Sequence, residues 1–240
     1  MLRFFRSNPL AILLILYLAY QSITSGQYSD PKAWLMAKAI ALPAIAIGFS
    51  FHEFAHAFAA DRLGDRTPRM QGRVTINPAA HVDPFGLLAL IFIGFGWGKP
   101  VMVNPTNFKN MRRDSLIVDL AGVTMNLVLA IIFAGILKLM VTFQYDFLNT
   151  YMGSVIIEMI GTVIWINIVL MIFNLIPVPP LDGFGILTEI FDLRSKDWYY
   201  QIYDKGFLIL LILIMFNLTD KIISGGGWFV YQAIMGIFSF

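Results

Sequence analysis

Apolar residues in this chain come in long unbroken blocks, not in the alternation of a half-buried strand or the three-four spacing of a surface helix. Five blocks have the roughly 20 mostly apolar residues that a helix needs to cross a bilayer: 8–25, 33–60, 115–142, 153–177 and 206–223. A sixth block, 85–98, would reach only about 21 Å as a helix at 1.5 Å per residue, short of the roughly 30 Å hydrocarbon core. It also holds Gly86, Gly94, Gly96 and Gly98, and the pattern predicts a re-entrant or interfacial segment rather than a crossing. Between the second block and this segment, residues 67–84 read as short extended pieces. Val74, Ile76 and the Asn77-Pro78 pair predict a small β-hairpin at the membrane surface. The aromatic block 228–240 is too short to place.

The expected fold is an all-α polytopic membrane protein of about five to six transmembrane helices, with a short re-entrant/β-hairpin segment between the second and third spans. Composition agrees: 58% of residues are hydrophobic and 13% charged, and the mean hydropathy is +0.72. Soluble domains carry about 25% charged residues, so a soluble globule, a disordered chain and a coiled coil are all excluded. Most of this chain is solvated by the lipid bilayer. A net charge of +2 offers no basic field for nucleic acid. The absence of cysteine removes disulfides, thiolate ligands and a cysteine nucleophile. A metal would have to be held by His, Asp or Glu, and there are only three histidines, His52, His56 and His81.

Basic residues set the orientation. Arg3 and Arg6 precede the first span; Arg62, Arg66, Arg69 and Arg73 follow the second; Lys99, Lys109, Arg112 and Arg113 precede the third; Arg194, Lys196 and Lys205 lie between the fourth and fifth. If 85–98 dips in and returns, all of these share one side, and only Lys32, Lys38, Lys138 and Lys221 fall elsewhere. The N-terminus and the loops 61–114 and 178–205 are therefore expected to be cytoplasmic. The first block lacks a small-residue cleavage site and is followed by further spans, so it reads as a retained helix, not a signal peptide. There is no repeat and no linker, which predicts a single membrane-embedded domain over 1–240. Its core would be about 33–190, with peripheral helices at 8–25 and 206–240 and no room for an appended soluble regulatory domain.

The second block ends in His52-Glu53-Phe54-Ala55-His56, an H-E-x-x-H motif inside a membrane helix. Residues four apart share a helical face, so both imidazoles can reach one ion, and Glu53 can take a proton from a water held there. Ionisable groups in an apolar helix cost several kcal/mol unless paired, solvated or coordinated, and three together need a common reason. A catalytic zinc site needs a third protein ligand and an open position. Asp182 is the candidate: Pro177, Pro179 and Pro180 stop the fourth span, and Gly183 allows a tight turn that aims the carboxylate back. Taken alone, an Asp-Gly pair is as well read as a solvated turn.

Together these residues resemble the site-2 protease family of intramembrane zinc metalloproteases. The likeness covers roughly 45–190 and rests on His52-Glu53-Phe54-Ala55-His56 and on Asn174…Pro177…Leu181-Asp182-Gly183. Three further stretches resemble those bacterial and archaeal members that have no appended regulatory domains: 77–86, containing Asn77-Pro78, His81 and Asp83-Pro84; Gly96-Trp97-Gly98-Lys99-Pro100-Val101; and Ala121-Gly122-Val123-Thr124-Met125-Asn126. The resemblance implies one Zn2+ per chain on His52, His56 and Asp182, with Glu53 as general base. Asn126, His81 and Asn174 become candidates for contacting substrate or supporting the ligands; interhelical packing is an equal reading for Asn126. Val123 stands where the family usually has proline, which predicts a straighter helix there and bears on the placement of Asn126. Asp119 and Glu158, also within spans, would sit near a helix end or face a water path.

The expected activity is zinc-dependent endopeptidase cleavage within or near transmembrane segments of membrane proteins, in a prokaryotic cell membrane with the active-site opening on the cytoplasmic side. An extended substrate could pair with strands near 70–78. The alternatives are an intramembrane metal-ion or proton transporter, in which His, Glu and Asp line a path, and an inactive scaffold of the same fold.

Overall fold

A computed structural model describes residues 9–26 and 28–239; Arg3 and Arg6 lie outside the described residues. Eight helices of ten or more residues are labelled α1 to α8: Pro9–Thr24, Pro31–Arg62, Pro84–Ile93, Met111–Phe143, Tyr151–Asn174, Asp182–Phe191, Tyr199–Met215 and Leu218–Ile237. The protein is all-α, with no strand among the described residues.

Three helices, α2, α4 and α5, are long and apolar enough to cross a membrane. Their starts and stops follow from sequence. Asp30 accepts from the Lys32 and Ala33 amides at the start of α2, with Pro31 at a position that needs no donor. Asn110 and Thr150 cap α4 and α5 in the same way. α2 has 32 residues and α4 has 33, about 48 and 50 Å, so both outrun the roughly 30 Å core. α4 runs unbroken through Val123. The three helices pack on one another, α6 packs on α4, and α8 lies against α5. Ala130, Ala134, Ile160, Ile164, Ile168 and Ile234 form the buried seam between α4, α5 and α8.

The outer spans depart from expectation. α1 has 16 residues, about 24 Å, and packs through Ala11, Leu14 and Leu18 against Leu211 of α7. The expected fifth span, 206–223, is not one helix. The chain breaks at Asn217, which takes φ 54°, a left-handed value that asparagine tolerates better than most residues. α7 and α8 meet there at 77°, and the unplaced block 228–240 largely belongs to α8. Among the described residues, helices long or continuous enough to span therefore number three, or four if the bent pair is one crossing.

The segment 85–98 does turn back. α3 spans ten residues, about 15 Å, and closes at Gly94 with φ 84°. The chain then returns so tightly that a side chain at Gly86 would overlap the Trp97 carbonyl. Val82 and Gly98 end up paired in an isolated antiparallel bridge. The β-hairpin expected within 67–84 is not formed. Pro68 and Pro78 each begin a single helical turn, Thr67–Met70 and Pro78–His81, the second capped by Asn77 accepting from the Ala79 amide. Proline suits the first turn of a helix and withdraws the donors a strand pair would need. The strands near 70–78 proposed to hold substrate are absent with it.

Asp65 ties this region to the helix that carries the motif. It is fully buried and accepts from the Thr67 and Asn104 amides, the Thr67 hydroxyl and the Asn107 amide nitrogen. Burial alone would raise its pKa, but these donors outweigh burial and hold the carboxyl below its ordinary value.

Candidate metal centre

The H-E-x-x-H motif lies ten residues before the end of α2 at Arg62, about 15 Å along the axis. His52, Glu53 and His56 are all buried. α5 ends at Asn174, and the prolines at 177, 179 and 180 prevent its continuation. Asp182 is aimed differently from expectation. Asp182-Gly183 is not a turn but the start of α6, and the carboxylate projects from the first residue of that helix.

These elements bring three atoms together. Asp182 Oδ2 lies 3.3 Å from His52 Nε2 and 3.3 Å from His56 Nε2, and the two Nε2 atoms are 3.0 Å apart. The far side of each ring decides what those atoms carry. His56 Nδ1 is 2.7 Å from the Val118 carbonyl oxygen, which can only accept, so Nδ1 holds the proton. His52 Nδ1 is 2.7 Å from Asn126 Oδ1. The Asn126 amide nitrogen donates to the Gly48 carbonyl and to Asn167 Oδ1, which leaves Oδ1 to accept from His52. Asn167 in turn donates to the Val163 carbonyl.

Both Nε2 atoms therefore present lone pairs, facing each other and a buried carboxylate oxygen that has no hydrogen-bond partner. Three acceptors converging without a donor repel one another unless a cation sits among them. Tetrahedral zinc with ligands at 2.0–2.1 Å separates its donors by about 3.3 Å, close to the distances found. Two imidazoles and one carboxylate are a ligand set suited to zinc, and they leave a fourth position open. His52, His56 and Asp182 can thus hold a metal ion.

Glu53 projects beside this cluster. Its Oε2 accepts from the Val101 amide at 3.1 Å and lies 4.0 Å from Arg73 Nη2. Of the other residues singled out in the sequence, Asn126 belongs to the centre through His52. His81 and Asn174 do not: His81 is fully buried and its Nε2 bonds the Thr75 carbonyl oxygen, while Asn174 donates to Leu170 within its own helix. Asp119 lies against Gly185 on the approach to Asp182, whereas Glu158 is exposed two turns into α5.

Three supporting positions escaped sequence reasoning. Asn167 sits alone among apolar residues of α5, and a buried amide in a span is itself a signal. Gly122 lets α4 press against the ligands, since a methyl there would run into the His52 and His56 rings. Arg73 was visible only as a topogenic charge, although it is buried beside Glu53. The Val118 carbonyl has no side-chain signal to read.

Asn126→Ala should weaken zinc binding by about 10- to 100-fold, the usual cost of removing a group that orients a metal-binding histidine. It frees the His52 ring, leaves Asn167 Oδ1 without its donor and removes a second donor from the Gly48 carbonyl. Competition with a chromophoric chelator would measure it; unchanged affinity would reduce Asn126 to packing.

Comparisons with known proteins agree with this chemistry. The model of Peptidase family M50 matches residues 138–217, a stretch that holds α5 and Asp182 but not the α2 motif. The chain is 36% identical over 177 residues to the protein named Putative zinc metalloprotease YwhC from Bacillus subtilis, covering 74% of this chain and 80% of that protein. It is 26% identical over 243 residues to Putative zinc metalloprotease Rip2 of Mycolicibacterium smegmatis, covering 98% of this chain and 88% of the relative. The Rip2 of Mycobacterium tuberculosis strain H37Rv is 27% identical over 211 residues, with 85% and 75% covered. No solved structure matches the chain. The family match over α5 and Asp182, and the shared identity along most of YwhC, place the chain in peptidase family M50, the site-2 proteases, as a membrane protein of metalloprotease type.

Proposed function

We propose that this protein is a zinc-dependent intramembrane endopeptidase that cleaves membrane proteins within or near a transmembrane segment. The observation that carries this reading is the meeting of two histidine lone pairs and an unpartnered carboxylate oxygen beside Glu53, on a helix long enough to span a bilayer. Bound zinc supplies Lewis acidity toward the scissile carbonyl and the attacking water. His52, His56 and Asp182 would hold the ion, and the hydrogen bonds of His52 to Asn126 and of His56 to the Val118 carbonyl fix both rings in the ligating tautomer. Glu53 takes the proton of the attacking water and delivers it to the leaving amine.

The partner is a substrate helix that must unwind locally, because helical carbonyls are already hydrogen-bonded and shielded. By family analogy the substrates include membrane-tethered regulators. The basic residues of 61–114 and 178–205 support a cytoplasmic opening, and the bacterial relatives support a prokaryotic cell membrane.

The test uses the full chain in nanodiscs with fusions that carry single transmembrane helices. Cleavage should stop on stripping the metal with 1,10-phenanthroline and return with added zinc, and product masses should place the cut within or next to the apolar segment. Cleavage that persists in metal-free protein, or cuts confined to distant soluble parts, would sink the reading.

A further inference from the structure

Arg73 is a cation buried outside the spanning helices, with a relative exposure of 8%. Burying a guanidinium costs several kcal/mol unless it is paired and its donors are used. Arg73 engages its two terminal nitrogens across three pieces of chain, while its Nε has no hydrogen-bond partner among the described residues. It donates to the carbonyls of Ala80 and Lys99, and its Nη2 stands 4.0 Å from Glu53 Oε2. The same oxygen accepts from the Val101 amide at 3.1 Å. The Lys99 amide donates to the His81 carbonyl at 2.8 Å, so 80–81 and 99–101 are bound to each other as well as to Arg73. A planar fork reaches two carbonyls and a carboxylate at once, which a lysine ammonium on a flexible stem does less well. Both contacts fall on Oε2 of Glu53, and Oε1 accepts from no described residue.

We infer that Arg73 is a positioning residue for proteolysis: with the Val101 amide it pins Oε2 of Glu53 and clasps residues 80–81 and 99–101 around it, leaving Oε1 to take the proton of the attacking water. This inference rests on the proteolytic reading above. A glutamate has three side-chain torsions, and a carboxylate free to sample them spends little time where it can accept the proton. A misplacement of about 1 Å at a reacting group costs on the order of 100-fold in rate. Arg73 touches neither the three ligand residues nor, on this reading, the substrate. Its loss should therefore slow the chemical step without emptying the metal site.

The test compares wild type with Arg73→Met and Arg73→Lys in nanodiscs, by zinc content, by kcat and KM measured separately, and by amide hydrogen exchange over 78–101. Arg73→Met should keep its zinc and hold KM within about twofold while kcat falls by about 10- to 100-fold. Exchange at Lys99 and Val101 should rise at least tenfold. Arg73→Lys, which keeps the charge but not the fork, should recover part of kcat. Wild-type kcat in Arg73→Met, or a loss confined to KM or traced to lost zinc, overturns the proposal. Should Arg73→Met fail to fold, Arg73→Lys decides it: reduced kcat at full zinc is expected, and wild-type kcat with unchanged exchange overturns it. A wild type that holds zinc yet cleaves no transmembrane substrate defeats the proteolytic reading instead. The exchange rates still judge the clasp in that case, and unaltered exchange in Arg73→Met overturns it.

Discussion

Glu53→Gln should retain close to the wild-type zinc content and lose cleavage by about 10²- to 10⁴-fold, the range over which positioned general bases act. The substitution is nearly isosteric, and its amide can still accept from the Val101 N–H, but it cannot take a proton from water. None of the atoms that converge on the metal position belongs to Glu53; those are His52 Nε2, His56 Nε2 and Asp182 Oδ2. The amide also leaves the buried Arg73 guanidinium without an opposite charge, which should lower stability by about 1–3 kcal/mol. Circular dichroism melts must therefore accompany the assay. The same variant separates the protease from a transporter, in which Glu53 would be one polar group among several on a path and its loss would change metal passage rather than peptide hydrolysis. Metal flux in vesicles that depends on Glu53, with no peptide cleavage by either protein, would favour transport.

What could be read in the sequence divides along physical lines. The spans α2, α4 and α5 were legible because lipid demands unbroken apolar length, and that demand is local. His52, Glu53 and His56 were legible for the same reason: they lie one helical turn apart on one segment, so no tertiary knowledge is needed to put both rings on one face. Asp182 required topology, since the basic residues had to place the ends of α2 and α5 on the same side before the carboxylate could meet the rings. The hairpin over 67–84 failed where side-chain chemistry overrode propensity. Val74 and Ile76 look strand-like, but Pro68, Asn77 and Pro78 start helical turns, and Arg73 ties its surroundings to the carbonyls of nearby Ala80 and distant Lys99. The bend at Asn217 failed for a related reason, because a single left-handed residue interrupts a pattern that hydropathy averages away. Partners such as the Val118 carbonyl and Asn167 depend on how α4 meets α2 and α5, which no window along one segment contains.

Asp182→Ala should cost more zinc affinity than any supporting change, well beyond the roughly 100-fold upper range for groups that merely orient a ligand, and should leave the purified chain largely metal-free. Asp182 is the one candidate ligand that α2 does not carry, and its carboxylate supplies the only negative charge in the set. Without it two neutral imidazoles remain, and two nitrogens on one helix do not complete a closed-in site. The fold should survive, because His52 Nε2 and His56 Nε2 stand 3.0 Å apart and a single proton shared between them relieves the lone-pair repulsion that the metal otherwise removes. Helical content by circular dichroism should accordingly match wild type, while zinc by mass spectrometry of the purified protein should not. Asp182→Asn sharpens the comparison: it keeps the shape and an acceptor oxygen but not the charge, and it should fall between the two. Full zinc in a well-folded Asp182→Ala would take Asp182 out of the metal site and leave α2 to find its third ligand elsewhere, with Asp119 the next carboxylate along α4 to try.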